Sequence, residues 1–211
     1  MSSGLPEAET ASGTGAAATV RNDRRSQRSA CWLVAIDMQE IFGRPGSPWF
    51  TPDYDRASAG IRRLLPAFGG EAIFTRFVAP AEPQGAWVPY YSLWPFALVP
   101  QDDPLYELTE PFRGIARGVQ TRETFGKWDA EFAQAMGGST EMVLTGVSTD
   151  CCVISTALAA SDAGVHVRVV ADACAGLSQE DHQRALDAMA LYAPLIEITT
   201  VDEVLASRAD G

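Results

Sequence analysis

Two adjacent cysteines, Cys151 and Cys152, end the run Leu144-Thr145-Gly146-Val147-Ser148-Thr149-Asp150, in which an apolar strand passes through glycine into a short polar turn and then a helix. A thiol at a helix start faces backbone N–H groups without intrahelical partners and the positive end of the helix dipole. That setting favours thiolate and lowers the thiol pKa. The same N–H groups can hold the oxyanion formed when a carbonyl is attacked, so one turn offers both nucleophile and oxyanion hole. The bland alternative is a cysteine buried as a small hydrophobe beside an ordinary Ser, Thr or Asp helix cap. Asp37 raises the odds for chemistry. It directly follows Leu33-Val34-Ala35-Ile36 at the carboxyl edge of an apolar strand, where a charge is expensive without a task or a partner. Alone, it reads equally as a loop-capping aspartate.

Such residues must be held by a scaffold, and the chain alternates in a way that supplies one. A continuous apolar run of strand length falls at residues 31–36, and further strand patterns at 72–77, 142–145, 165–170 and 195–199. Helical patterns lie between and after them, near residues 53–68, 127–136, 151–163 and 179–191, followed by a short terminal helix. Strands alternating with helices imply right-handed crossovers and a doubly wound, three-layer α/β/α fold around a parallel sheet. Residues 78–111 interrupt the rhythm with Pro80, Pro83, Pro89, Pro95, Pro100, Pro104 and Pro111, and with aromatics between them. So long an insert at the carboxyl end of the second strand sits where open α/β sheets bind ligands. It reads either as a pocket wall or as a surface flap with its own aromatic core.

Length and charge bound the function. A chain of 211 residues with 46% hydrophobic content suits one globular domain, expected over residues 30–211, behind a Ser, Gly and Ala-rich tail at 1–29 with too little to bury. A net charge of -11 disfavours nucleic acid and anionic membrane surfaces as partners. No apolar run approaches the roughly 20 residues of a membrane helix, and the N-terminus lacks a signal-peptide core, so a cytoplasmic location is expected. The cysteines at 31, 151, 152 and 174 have neither disulfide-framework nor zinc-site spacing, and the two histidines, His166 and His182, stand in no metal-binding cluster. A reduced compartment is expected, with no metal or other cofactor.

Taken together, Val34-Ala35-Ile36-Asp37-Met38-Gln39 with Phe42, Thr75-Arg76-Phe77, Gly146-Val147-Ser148-Thr149-Asp150-Cys151-Cys152-Val153 with Thr156-Ala157-Leu158, and Val169-Val170-Ala171-Asp172-Ala173-Cys174 resemble the isochorismatase-like cysteine hydrolases. That family includes nicotinamidases, N-carbamoylsarcosine, ureidoacrylate and biuret amidohydrolases, and streptothricin hydrolase. The resemblance covers most of residues 31–200 and implies a mainly parallel six-stranded sheet. It also implies that Cys152 is the nucleophile, Cys151 a structural neighbour and Asp37 the general base. A cis peptide is implied between Val147 and Ser148, and an oxyanion hole from the backbone N–H groups of Ser148 and Cys152. The family's third catalytic residue is a lysine. Aligning Phe125-Gly126-Lys127-Trp128 with the usual pattern brings Arg122 to its position, with Lys127 five residues later. Arginine, with a pKa above about 12, cannot readily exchange a proton as a desolvated lysine can, so Lys127 is favoured and Arg122 stays as the alternative.

The resemblance then implies hydrolysis of a small amide, lactam, carbamoyl or ureido C–N bond through a Cys152 thioester. True isochorismatases cleave an enol ether without a nucleophilic cysteine, and the stretch after Thr75 lacks the Asp-x-His metal motif of nicotinamidases. Phe42, Trp87, Tyr91 and Trp94 are the substrate-binding candidates, with Trp49 and Tyr90 beside them, forming an apolar or cation-accepting pocket. The family's habit implies a homodimer or homotetramer. Two rivals stand: a catalytically silent scaffold whose aromatic insert is an interface, and a redox sensor built on the Cys151–Cys152 pair.

Overall fold

The structure is a computed structural model that describes residues 31–116 and 118–209; the tail expected at 1–29 lies outside the described residues. Leu33, Val34, Ala35 and Ile36 are all buried, as a continuous apolar run demands of a strand covered on both faces. They form β1 (Trp32–Ile36), paired in parallel with β2 (Ala72–Phe77) on one side and β4 (Glu141–Val147) on the other. Outside these lie β3 (Gly118–Arg122), β5 (His166–Ala175) and β6 (Ile196–Thr199), giving a six-stranded, all-parallel sheet in the order β3-β2-β1-β4-β5-β6. The doubly wound three-layer fold expected from the sequence is therefore present.

Strand alternation feeds two cores. Leu33 and Ala35 point into one, shared with α2 (Tyr54–Phe68) and α7 (Val201–Ala209); Val34 and Ile36 point into the other, shared with α4 (Ala130–Ala135), α5 (Ile154–Asp162) and α6 (Gln179–Ala190). In α2 the buried residues Tyr54, Ala57, Ile61, Leu64 and Phe68 recur at spacings of three and four, a single helical stripe, and Gly69 stops the helix at φ 61°. No helix among the described residues is long and apolar enough to cross a membrane.

Two helix expectations are corrected, and a sixth strand joins the five located by pattern. The strand β3, which no apolar run announced, alternates between half-buried and exposed residues at the sheet edge. The helix expected from Lys127 begins at Ala130, because the Asp129 side chain caps it by accepting the Phe132 amide at 2.8 Å. Before α5, residues Thr149–Val153 form a π-helical turn rather than regular α-helix.

The insert after β2 folds as α3 (Trp87–Leu93), followed by 3-10 turns at Pro95–Ala97, Pro104–Tyr106 and Glu110–Phe112, each with proline in its first positions. A short helix α1 (Glu40–Gly43) follows β1, and beside it the buried Gln39 ties the insert down. Its Nε2 donates to the carbonyls of Phe77 at 2.9 Å and Tyr106 at 2.8 Å, and its Oε1 accepts the Phe77 amide at 2.7 Å. The Tyr106 hydroxyl donates to the Ala97 carbonyl and accepts the Ala79 amide, closing the insert onto itself.

Candidate active site

The order of strands reverses between β1 and β4, which makes their carboxyl ends the topological switch point where open α/β sheets bind ligands. Gly146 lets these two strands meet closely. It lies at φ 108°, and a Cβ there would fall 2.2 Å from the Ile36 carbonyl oxygen, so only glycine fits. Immediately beyond, Asp37 turns off the sheet at φ 48°, a left-handed conformation that aspartate tolerates better than most residues. The peptide between Val147 and Ser148 is cis, as the resemblance implied.

Asp37 is fully buried, and both of its oxygens are engaged. The Thr75 hydroxyl accepts the Asp37 amide at 3.0 Å and donates to Oδ1 at 2.6 Å, while Lys127 Nζ stands 2.8 Å from Oδ2. Lys127 has no exposed side-chain surface, and its ammonium also donates to the Thr124 carbonyl at 2.8 Å. Its backbone amide donates to the Thr156 hydroxyl at 3.1 Å, which itself donates to the Cys152 carbonyl at 2.7 Å. One threonine therefore links the loop of Lys127 to the turn of Cys152.

Cys152, 3% exposed, faces the Asp37–Lys127 pair. Burial pushes its thiol well above the usual range; the Lys127 ammonium pulls it down, and the Asp37 carboxylate pushes it up again. The expectation of a lowered pKa at the helix start is corrected: loss of hydration, the largest cause, raises this thiol. The Ser148 carbonyl accepts the amides of Cys151 at 3.2 Å and Val153 at 3.1 Å, the residues flanking Cys152. Cys151 is half-buried, its thiol raised first by burial and then by Asp150. Behind the turn, the Thr149 hydroxyl meets His182 Nδ1 at 2.8 Å, and Asp150 accepts the Leu177 amide at 3.1 Å.

Arg122 does not reach this cluster. Its guanidinium grips both oxygens of Asp129 at 2.7 and 3.0 Å and approaches Glu131 at 3.4 Å, bracing the start of α4. Asp37, Lys127 and Cys152 are the residues brought together.

A cavity of about 260 Å³ opens on Cys152 and Ser148. Of the aromatic candidates, Phe42 and Trp94 line it, as do Trp49 and Tyr90. Trp87 packs behind the wall, with ring centroids 5.3 Å from both Tyr90 and Phe125. Tyr91 is buried deeper still, at 2% exposure. The insert is thus both pocket wall and aromatic cluster. Sequence reading assigned no role to Thr75, Thr156, Phe77 or Phe125. The first and third had a legible signal, since strand alternation sends Thr75 and Phe77, two residues apart, to the same side as the site. Among the described residues no group of three or more His, Cys, Asp or Glu side chains converges as a metal site.

With cysteine, aspartate and lysine gathered at the switch point of its sheet, the chain is a doubly wound α/β protein with the makings of a hydrolase site. A family model described as the Isochorismatase domain matches residues 31–203, and the chain belongs to the isochorismatase family. Isochorismatase domain-containing protein 2 of Xenopus laevis is 44% identical over 59 residues, which is 28% of this chain and 29% of that protein. The matched stretch thus spans under a third of that curated relative. Among solved structures, a cysteine hydrolase from Pseudomonas syringae pv. phaseolicola superposes with a TM-score of 0.76 at 17% identity, covering 86% of this chain and 93% of that one. A nicotinamidase pyrazinamidase from Acinetobacter baumanii gives 0.69 at 19%, covering 84% and 99%. N-carbamoylsarcosine amidase from Thermoplasma acidophilum gives 0.63 at 18%, covering 81% and 95%. At these identities the likeness is one of fold.

Proposed function

We propose that this protein is a cysteine hydrolase that cleaves the C–N bond of a small amide, lactam, carbamoyl or ureido compound through a thioester on Cys152. The observation that carries this reading is the buried Asp37–Lys127 ion pair set against the Cys152 thiol, which lines a largely apolar cavity. Burial disfavours the thiolate, so attack calls for a base, and Asp37, hydrogen-bonded to the Cys152 thiol, is the carboxylate beside it. Asp37 takes the thiol proton as sulfur bonds to the substrate carbonyl carbon. The oxyanion is held by the backbone N–H groups of Ser148 and Cys152. Collapse breaks the C–N bond as Asp37 returns the proton to nitrogen, releasing ammonia or an amine. Water, deprotonated by Asp37, then cleaves the thioester to a carboxylic acid and regenerates the thiol. Lys127 holds Asp37 in place and offsets negative charge as it develops.

The test is a screen of small amides and ureido compounds for released ammonia or amine, with intact-mass detection of acylated protein and peptide mapping. An acyl group on Cys152, absent in Cys152→Ala together with all turnover, is the expected result. Turnover that survives Cys152→Ala would overturn the mechanism.

A further inference from the structure

We propose that the substrate carries no net charge: a small, neutral amide with an apolar acyl part, bound between aromatic rings, with the Tyr90 hydroxyl as the polar contact on that wall. This rests on the hydrolase reading of the same site and deepens it. The wall facing Cys152 is built from Phe42, Trp49, Phe77, Tyr90, Trp94 and Phe125, and none of the other lining residues is an Asp, Glu, Lys, Arg or His. The two charges next to the nucleophile, Asp37 and Lys127, lie 2.8 Å apart and are fully buried, so they are matched to each other and not to a ligand. A carboxylate or phosphate entering this cavity would shed its water and meet no cation on the wall, a loss that makes unpaired buried charge unfavourable.

A cationic substrate fares little better. Aromatic faces attract cations, but a protonated primary amine entering this cavity also gives up its water and finds no carboxylate on the lining to pair with it. One face is already in use, with Lys127 Nζ 5.4 Å from the Phe77 ring centroid. A second cation in the same small space would repel that ammonium. Closed to both signs of charge, the cavity of about 260 Å³ falls just below the usual range of roughly 300–1,000 Å³ for ligand pockets.

Tyr90 supplies the one phenolic hydroxyl among the lining residues. Its ring is fixed by Trp49 at 6.2 Å, Trp87 at 5.3 Å and Phe125 at 5.8 Å. Burial first, and then Cys151 and Cys152, raise its pKa to about 12, so it remains a hydrogen-bond donor throughout the neutral range. A rigid donor beside the nucleophile suits the polar end of an amide and not a charged tail.

The test compares three amides of similar size: 4-acetylbenzamide, 4-carboxybenzamide and 4-(aminomethyl)benzamide. Their binding to Cys152→Ala is measured by calorimetry, and their kcat/KM with the unaltered protein. The neutral compound is expected to bind at least about 30-fold more tightly than either charged one, as unpaired charge burial implies. Equal or tighter binding of a charged compound, or binding of none of the three, would overturn the proposal. Trp94→Arg places a cation on the wall beside an intact Cys152, and should raise the kcat/KM of the carboxylate relative to the neutral amide at least about tenfold; no change would also overturn it. Neutral preference in binding without any hydrolysis by the unaltered protein would sink the hydrolase reading while leaving the pocket assignment standing.

Discussion

Replacing Lys127 by methionine tests the centre of the site. Lys127 and Asp37 are each 0% exposed and 2.8 Å apart, so Lys127→Met leaves a carboxylate inside the protein with only the neutral Thr75 hydroxyl and Cys152 thiol as side-chain partners. Breaking a buried pair from one side costs about 3–5 kcal/mol. For a chain of this size, at about 2–4 °C per kcal/mol, that lowers Tm by roughly 6–20 °C. Urea unfolding at constant m is the assay. Asp37→Asn with Lys127→Met removes both charges, so the double variant should cost at least about 1 kcal/mol less than the sum of the single ones. The control is Arg122→Met, whose partners Asp129 and Glu131 are solvent-exposed, so its loss strands no buried charge and is expected to cost less than that of Lys127. Activity should separate the two more sharply. Lys127→Met should lose at least about 100-fold in kcat/KM, in the range of a lost acid–base group, while Arg122→Met stays near the unaltered protein. A Lys127→Met protein within about 1 kcal/mol of the original, or strictly additive double-variant costs, would refute the buried-pair argument.

Other outcomes follow from single contacts. Gly146→Ala sets a Cβ 2.2 Å from the Ile36 carbonyl oxygen at φ 108°, so little folded protein should accumulate, as judged by circular dichroism; a native spectrum would show that β1 and β4 can separate without loss. Thr156→Val removes the hydroxyl between the Lys127 amide and the Cys152 carbonyl, and should cost about 1–3 kcal/mol and lower kcat more than KM, with Thr156→Ser restoring both. His182 is held below its usual pKa by burial and then by Arg56, so the folded state binds its proton less readily than the unfolded chain. Its contribution to stability is full above about pH 6.5 and is lost as pH falls through the lowered folded value. Urea midpoints at stepped pH should therefore drop on acidification by less in His182→Gln than in the original; identical slopes would remove His182 from the account.

How much of this was legible depended on whether a residue's surroundings are local. Buried parallel strands announce themselves because both faces must be apolar, as the run of β1 does, while β2, β4, β5 and β6 are legible from mixed but mainly apolar or β-branched patterns. The edge strand β3, Gly-Val-Gln-Thr-Arg, has a neighbour on one side and water on the other, so its sequence carries no run to find. Strand ends are hidden where polar residues begin. The strand β5 continues through Ala171-Asp172-Ala173-Cys174 to Ala175, and the Asp172 carboxylate there accepts the Val201 amide at 2.8 Å, joining the strand to α7. That partner lies 29 residues on, beyond the reach of any local pattern.

The same limit explains the site. Residue types pointed to Lys127 over Arg122 because arginine cannot exchange a proton, yet which side chain turns inward is decided by contacts distant in sequence. Asp129 draws Arg122 outward, and the Thr156 hydroxyl, 29 residues away, anchors the Lys127 amide so that its chain enters the core. Where the local reading failed, it failed for a related reason. A helix start favours thiolate, but that effect acts on a solvated thiol, and Cys152 is covered by elements that no nearby residue predicts. Burial reverses the sign and changes the chemistry required. A preformed thiolate needs no base, whereas a buried thiol must surrender its proton during attack, which gives the carboxylate at the end of β1 a specific task.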